Sequence, residues 1–585
     1  MSIAELVPRW PGLPDASGDL VEGVSLRGRS YRLRSGKQVD LTAAGIMSAR
    51  SIDVDPEVFL SPLLSRDMPN PMLLKDMDVA AERIAAAVIR KEKVVVFGDY
   101  DVDGASSSAV IGRWFAGVGL DVSIYIPDRM SEGYGPTPKA VERAVANGAD
   151  LMICVDCGTA ATEVLEAVDA DVIVIDHHKQ QGALPDITAV VNPHRDDDDS
   201  GLGMLCATAL CFMTVAAAQT VLKNAGALPD DAPKIIRLLD IVALATVADV
   251  VPLIGPSRLF VSRGLEVIAR TPSKGMHALI QVSGVTDVTA GRIGFSLGPR
   301  VNAGGRVGAG SLSDQGALGV RLLMSQDEDE ANGIAAELDA MNKERQEIQK
   351  LCQEEASVEA EAQVDSGASI ISVYGKGWHA GIVGIVAGRL KERFDMPVLV
   401  GSLDDGKIKG SGRSVPGLDL GAIIVEAKKR GLLETGGGHA MACGFGCKVE
   451  QWEGFQAFLR ERSIWKAEPV TVDCSIDASE ISMEGIETLS MLEPLGQGNP
   501  AVKSMISGLR IKGLKQLKNG HLKIDLAHRN GSFEGLWWRA QDEGFMDTLM
   551  AMEGANVTII GSPNVNSWQG RKRISVEIAD IIEVR

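Results

Sequence analysis

The chain holds 585 residues, 45% of them hydrophobic and 23% charged, which is too long for one core and ordinary for several globular domains. Its eight scattered cysteines follow no disulfide-framework spacing and no signal-peptide pattern opens it, so the composition excludes a disulfide-stapled secreted domain and points to a cytoplasmic protein with reduced thiols. The formal net charge of −19 argues against a polyanionic partner, but thirteen acids against three bases fall within 326–365, so over half of the excess is local and a positive groove elsewhere stays open.

Residues 1–80 carry no chemistry that the sequence identifies; Trp10-Pro11-Gly12 and Pro69-Asn70-Pro71 punctuate them. An amphipathic helix over 77–90 leads into V-V-V-F-G-D-Y-D-V-D-G at 94–104. The apolar run 94–97 suits a strand buried on both faces of a parallel sheet. Asp99, Asp101 and Asp103 follow at alternate positions, and an extended chain would set all three on one side. Like charges that close need a counter-charge, and a divalent cation is the usual one for clustered oxygen ligands. Gly104 then lets the backbone turn into a helix over 105–115.

Strand and helix go on alternating, with strands over 122–126, 151–155 and 172–175 and helices over 138–147 and 159–168. The pattern predicts an α/β fold with a doubly wound parallel sheet. The strand 151–155 runs into Asp156 and Gly158, and 172–175 runs into Asp176-His177-His178. Helices follow over 205–221 and 234–248, the latter running into Asp249. The most apolar stretch, 238–253, is interrupted by Asp240 and Asp249, and no run reaches transmembrane length. A lone Asp after a strand is ordinarily a turn or a helix cap. Three strand ends carrying Asp or His at one sheet edge instead make a convergent carboxylate and imidazole cluster. That donor set suits a pair of Mn²⁺ or Mg²⁺ ions rather than structural zinc. The C-x-x-C formed by Cys154 and Cys157 straddles this edge on a buried strand, has no second pair, and is read as coincidence.

Arg129, after the second strand, lies at the same sheet edge, and from the residues alone it is an ordinary surface arginine in a glycine turn more readily than a group that reaches an anion there. Arg300, Asn302 and Arg306 fall in a glycine-rich loop, either a phosphate cradle or an ordinary loop. Ile334, Leu338, Met341, Ile348, Leu351 and Val358 recur at helical spacing, so 326–365 is one long amphipathic helix, read as a strut between two lobes. A second, smaller α/β lobe starts with a strand over 369–374, a helix over 379–394 and strands over 398–401 and 408–411. From about 468 the pattern changes to short strands, which fit a C-terminal all-β OB-fold barrel. Lys503, Arg510, Lys512, Lys515, Lys518, Lys523 and Arg529 stand against Asp525 alone in 501–530, and Trp537, Trp538 and Arg571-Lys572-Arg573 add aromatic and cationic groups. A basic groove with stacking aromatics is what single-strand binding requires, with one tryptophan left for the core.

D-Y-D-V-D-G at 99–104, V-D-C-G at 155–158, D-H-H at 176–178 and T-V-A-D-V-V-P-L at 246–253 resemble the four motifs of the DHH phosphoesterases. G-P-R-V-N-A-G-G-R at 298–306, W-H-A-G-I-V-G-I-V-A-G-R-L at 378–390, G-S-G-R-S at 410–414 and G-G-G-H-A-M-A-C-G at 436–444 are similar to the RecJ family within them. Eight motifs in order, from about residue 80 to the end, carry the resemblance. It implies a DHH domain at 81–324, a connecting helix at 325–366, a DHHA1 domain at 367–466 and an OB domain at 467–585, after an N-terminal segment at 1–80. It implies that Asp99, Asp101, Asp103, Asp156, His177 and Asp249 hold two Mn²⁺ or Mg²⁺ ions and that His178 sits beside the scissile phosphate, with Asp101, Asp103 and His178 central to catalysis. It places Arg129, Ser411 and Arg413 at a 5′ phosphate, and Arg300, Asn302, Arg306, Gly437, Gly438 and His439 along the substrate backbone.

The implied activity is 5′→3′ hydrolysis of single-stranded DNA to nucleoside 5′-phosphates in repair and recombination. The implied protein is a monomer away from membranes, with a helicase and a single-strand-binding protein as partners. The other enzyme reading is a DHH phosphodiesterase on short oligonucleotides or cyclic dinucleotides, which ordinarily lacks the barrel of 468–585. A scaffold with a decayed site ranks last, because every proposed ligand is present. DNA against RNA is decided by a contact to the 2′-OH that none of these motifs specifies.

Overall fold

The structure, a computed structural model, describes residues 20–21, 25–34, 39–128, 132–133, 135–304, 317–541, 544–568 and 571–583. It divides into two compact units, each assembled from distant parts of the chain. Ser51–Asn342 and Met491–Ala501 belong to the first; Asp15–Arg50, Lys343–Ser490 and Val502–Arg585 belong to the second.

The first unit is built on five short apolar strands: β1 (Val94–Gly98), β2 (Ser123–Tyr125), β3 (Leu151–Val155), β4 (Asp171–Ile175) and β5 (Ala189–Val191). They pair in the order β2-β1-β3-β4-β5, all parallel. Every residue of β1 and β3 is buried, as expected of strands covered on both faces. Alternate side chains serve two cores. Val94, Val96, Ile153 and Val155 pack with α1 (Met77–Arg90), α2 (Val102–Gly117), α3 (Ala207–Asn224) and α4 (Leu239–Ala248). Phe97, Met152 and Cys154 pack the other way, against Ala140, Val141 and Leu165. A fifth helix, α5 (Gly255–Arg270), lies on α4. The strand β5 carries too few residues to be read from periodicity and is absent from the sequence-based expectation.

Register positions the site. Gly98 pairs with Val155, Val155 with Ile175 and Ile175 with Val191. The next residues, Asp99, Asp156, Asp176 and Asn192, therefore leave four adjacent strands at one level, on the carboxyl edge. The order reverses between β1 and β3, and open α/β sheets place their sites at such a reversal.

The long helix is α6 (Glu328–Asp365), 38 residues that start in the first unit and continue into the second. The second unit has a mixed five-stranded sheet: β6 (Ile371–Lys376), β7 (Val398–Asp404), β8 (Lys407–Arg413), β9 (Thr435–His439) and β10 (Ala442–Lys448), ordered β9-β10-β8-β7-β6. The helix α7 (Val383–Phe394) packs on β7 and β8. The C-terminal strands β11 (Ser504–Gln516), β12 (Leu522–His528), β13 (Gly531–Trp537), β14 (Asn556–Trp568) and β15 (Arg571–Glu583) run β11-β12-β13-β15-β14, and β14 pairs back to β11 to close a barrel. The β13–β15 pair is parallel and the rest antiparallel, the OB arrangement. Among the described residues no helix is long and apolar enough to cross a membrane.

The N-terminal segment, without readable chemistry, is divided: the described residues up to Arg50 pack into the second unit, and those from Ser51 belong to the first. Tyr31–Leu33 pairs in parallel with Val470–Val472, and Ser25 bridges Ile582. Arg50, fully buried, holds Asp473 by two hydrogen bonds, Nε to Oδ1 at 2.9 Å and Nη2 to Oδ2 at 2.8 Å. Arg34 adds a bond to Oδ1 at 3.1 Å. Burial alone would raise the Asp473 carboxyl, but Arg50 and the Lys503 amide outweigh it and hold it below the usual range. A group so depressed stabilises the fold above its unfolded pKa and loses that contribution as pH falls through its folded one. Asp473→Asn is therefore expected to cost about 3–5 kcal/mol at neutral pH, read by urea unfolding, because Arg50 is left buried beside a neutral group. The deficit is expected to shrink as pH falls below about 4, where the carboxyl of the unfolded chain takes up its proton, and to close below the depressed folded pKa.

Candidate metal centre

β1 stops at Gly98, and the acids after it do not stay extended. Asp101 is the N-cap of α2, its Oδ1 accepting from the amides of Asp103 (2.9 Å) and Gly104 (3.1 Å). Asn302 Oδ1 accepts from the Val102 amide at 3.2 Å, so three orphan amides of the helix start are met by side chains. The even spacing thus serves a turn and a first helical turn rather than one strand face. Gly104 is helical, and a Cβ there would lie 2.5 Å from the Asp99 carbonyl, so glycine is required for close approach.

Asp103 is buried and tied to the start of α3. Its Oδ2 accepts from the Ala207 amide (2.8 Å), and Oδ1 accepts from the Thr208 amide (3.0 Å) and hydroxyl (2.6 Å). Asp156 leaves β3 in the left-handed region, φ +60°, which a short polar side chain tolerates. Asp249 caps the carboxyl end of α4. His177 Nε2 lies 3.4 Å from Asp156 Oδ1, 3.7 Å from Asp103 Oδ2 and 3.7 Å from Asp249 Oδ2. Three overlapping groups could hold a metal ion: Asp99–Asp101–Asp156, Asp103–His177–Asp249 and Asp156–His177–His178, each with donor atoms within 4.8 Å of one another.

The electrostatics of this cluster call for a cation. Burial and the charges of Asp103, Asp101, Asp99 and Asp176 push the Asp156 carboxyl well above its usual range. Burial, Asp103 and Asp101 push Asp249 up to about 8. A divalent ion would relieve carboxylates that lift one another in this way, and oxygen donors with one or two imidazoles fit Mn²⁺ or Mg²⁺.

Asp176 stands apart from these sets and has a different task. Its Oδ1 accepts from the amides of His177 (2.7 Å) and His178 (3.1 Å) and from His178 Nδ1 (2.7 Å). Its Oδ2 accepts from the Thr159 amide (3.1 Å) and hydroxyl (2.6 Å). Burial opposes ionisation, but these bonds and His178 hold Asp176 down at about 2. An ionised carboxylate only accepts, so Nδ1 carries a proton; burial opposes a charge on the half-exposed His178, but the bond to Asp176 and its charge hold it up at about 9. Asn192 completes the row, its Nδ2 donating to Thr159 Oγ1 (2.8 Å) and the His178 carbonyl (2.9 Å). Sequence reasoning quoted Asp176 in its motif but assigned it no role, and it missed Thr159, Thr208 and Asn192; Asn192 was marked only by the short run 189–191 before it.

The other expected residues are placed as follows. Arg129 and Arg306 lie outside the described residues. Gly298–Val301 is helical rather than a loop, and Asn302 is its C-cap. Arg300 donates to Asp339 Oδ1 (2.9 Å) and the Ser296 carbonyl (2.6 Å), so its guanidinium binds α6 and its own helix instead of facing outward. Ser411 and Arg413 converge on the first turn of α7, where a Cβ on Gly384 would lie 3.2 Å from Arg413 Nη2 and 3.3 Å from Ser411 Oγ. Gly437, Gly438 and His439 sit on β9, an edge strand rather than a loop. A Cβ on Gly438, at φ +147°, would meet the Ala442 carbonyl at 2.4 Å, while Gly437 faces open space.

The barrel is less cationic than its composition. Trp537 is core and Trp538 is 46% exposed against His521. Lys523 pairs with Glu534 at 2.6 Å and Lys572 with Glu487 at 2.6 Å. A groove of about 720 Å³ mixes Lys512 and Arg573 with Asp525 and Glu534.

Sequence comparison agrees with this architecture. The DHH family N-terminal domain matches 93–246, the DHHA1 domain 367–463 and the RecJ OB domain 472–580. The chain is 32% identical to the single-stranded-DNA-specific exonuclease RecJ of Bacillus subtilis, over 88% of this chain but only 64% of that one. It is 33% identical to that of Salmonella typhimurium, over 87% of this chain and 90% of that one. The crystal structure of RecJ from Thermus thermophilus in complex with Mn²⁺ superposes with a TM-score of 0.74 at 26% identity, covering 90% of this chain and 74% of that one. The same protein in complex with Mg²⁺ gives a TM-score of 0.69. The chain belongs to the RecJ family of DHH proteins.

Replacing Asp176 by Asn tests the orienting row without touching a ligand. Turnover is expected to fall about 10- to 100-fold, with the fold retained by circular dichroism, because the His178 ring loses the partner that holds its charge and direction.

Proposed function

We propose that the chain is a metal-dependent exonuclease that degrades single-stranded DNA from the 5′ end to nucleoside 5′-phosphates. The observation that carries this reading is the convergence of Asp99, Asp101, Asp103, Asp156, His177 and Asp249 at the switch point of one parallel sheet. The names of the RecJ relatives support the substrate. In this reading Asp99, Asp101 and Asp156 hold one Mn²⁺ or Mg²⁺, and Asp103, His177 and Asp249 the other. Two such ions supply a hydroxide nucleophile at neutral pH and neutralise charge on the leaving oxygen.

The chain's own residues do the rest. Asp101 caps α2 through Oδ1, so the helix start fixes the carboxylate. Asp103 is aimed by Thr208 and the start of α3. Asp176 holds the Nδ1 proton of His178, leaving Nε2 to meet a phosphate oxygen. Ser411, Arg413 and the first turn of α7 form an anion seat for a 5′ phosphate, which selects the end from which the strand is cut. The edge strand β9, with Gly437, Gly438 and His439, offers contacts to the substrate's backbone. The division at 81–324, 325–366, 367–466 and 467–585 assigns catalysis, connection, end recognition and strand binding. A monomer in the cytoplasm fits this role, with a helicase and a single-strand-binding protein as partners in repair and recombination.

The closed barrel favours this reading over a phosphodiesterase on short oligonucleotides or cyclic dinucleotides. With Mn²⁺, a 5′-labelled single strand is expected to release labelled mononucleotide at once, a 3′-labelled strand only late, and a duplex nothing. Asp101→Ala is expected to abolish release. Cleavage confined to oligonucleotides of a few residues would favour the alternative. Arg413→Ala is expected to raise KM for 5′-phosphorylated strands about 10- to 100-fold with kcat little changed, as loss of a charged hydrogen bond requires.

A further inference from the structure

The turn that follows Asp249 is held by more than its own sequence neighbours: the Val250 amide donates to the Val247 carbonyl at 3.2 Å, and the residues after it meet a remote segment. Val250 has φ +60°, a left-handed conformation that a β-branched residue rarely adopts, and its side chain is exposed. Leu253 donates its amide to the Gln497 carbonyl at 2.7 Å. A Cβ on Gly496 would lie 2.7 Å from Leu253 Cδ1, and one on Gly498, at φ +74°, would lie 3.0 Å from Pro252 Cβ and 3.3 Å from Ile254 Cγ2. The segment Met491–Ala501, remote in sequence, therefore lies on the turn 250–254 within the first unit.

That segment is locked from two sides. Gly496 and Asn499 exchange main-chain hydrogen bonds at 2.8 and 3.2 Å. The buried Asn499 amide donates to the carbonyls of Leu492 (2.8 Å) and Pro494 (3.0 Å). Arg258, in the first turn of α5 and 3% exposed, donates Nη1 to those same carbonyls (2.9 and 3.1 Å) and Nη2 to those of Glu493 (2.7 Å) and Met491 (3.4 Å). Its Nε reaches the Phe59 carbonyl at 3.0 Å, and the guanidinium lies 4.1 Å over the Phe59 ring. A buried cation held by neutral carbonyls needs all of them, since each one lost leaves charge without a partner. Arg258 and the segment hold one another in a single arrangement, and α5 begins directly after the turn.

We infer that Met491–Ala501 is a positioning clasp for the metal site, holding the turn after Asp249 in the backbone conformation that keeps that carboxylate in the cluster, with Arg258 and Asn499 as its locks. The clasp acts through the backbone of 250–253. The inference rests on the metal-dependent reading above.

The test is calorimetric titration with Mn²⁺, without DNA, of the wild-type chain, Gly498→Ala and Asn499→Ala. Both variants are expected to keep a wild-type circular dichroism spectrum and to bind Mn²⁺ about 10- to 100-fold more weakly, as losses around a ligand ordinarily do. Single-strand affinity in EDTA is expected to stay unchanged. A role in stability alone would lower the melting temperature and leave Mn²⁺ affinity as it was, and that result overturns the clasp. Should the variants not fold, hydrogen exchange on the unaltered protein decides. Slow exchange at the Leu253 amide, in step with Asn499, supports the clasp, and fast exchange at Leu253 overturns it. A wild-type chain that takes up no Mn²⁺ overturns the metal reading, and the clasp with it.

Discussion

Mutual repulsion among carboxylates is the constraint on which the first unit depends. Asp99, Asp101, Asp103, Asp156 and Asp249 are brought to one sheet edge, and two of them are driven up by burial and by one another. A fold that assembles such a cluster works against its own electrostatics unless a cation enters. The surrounding polar groups show how the arrangement is kept. Each charge is either bonded to main-chain amides, as Asp101 and Asp103 are, or aimed at the cluster from the end of a strand or helix.

Helix starts and strand register share this work. The amides at the starts of α2 and α3 favour nearby negative charge, so Asp101 and Asp103 are stabilised where they stand. Register sets Asp99, Asp156, Asp176 and Asn192 in one row. One step along the strand would turn each of them to the opposite face of the sheet. Asp176 lies outside the donor groups of the cluster: it makes five hydrogen bonds and holds the ring of His178.

Much of this was legible in the sequence. Continuous apolar runs marked β1, β3 and β4, and the residues after them marked the edge. The limits of α1 at Met77 and Arg90 followed from periodicity alone. The acidic α6 carries much of the net charge of −19, so the acidity of the chain is largely local to one long helix. Features that depend on distant partners were not legible. Asp101 reads as one of three alternating acids until its bonds to the amides of 103 and 104 are seen. Arg300 reads as a phosphate ligand until Asp339 is found beside it. Gly437 and Gly438 read as a loop because glycine is poor in strands, yet pairing with β10 makes them one. Nothing in L-G-Q-G-N-P at 495–500 says that it lies on the turn after Asp249.

The central claim is that the carboxylate cluster is a seat for two divalent cations. Anomalous diffraction at the manganese edge, from crystals of this chain grown with Mn²⁺, tests it directly. The account predicts two peaks a few ångströms apart, one among Asp99, Asp101 and Asp156 and one among Asp103, His177 and Asp249. A single peak elsewhere, or none with these carboxylates ordered, would contradict it.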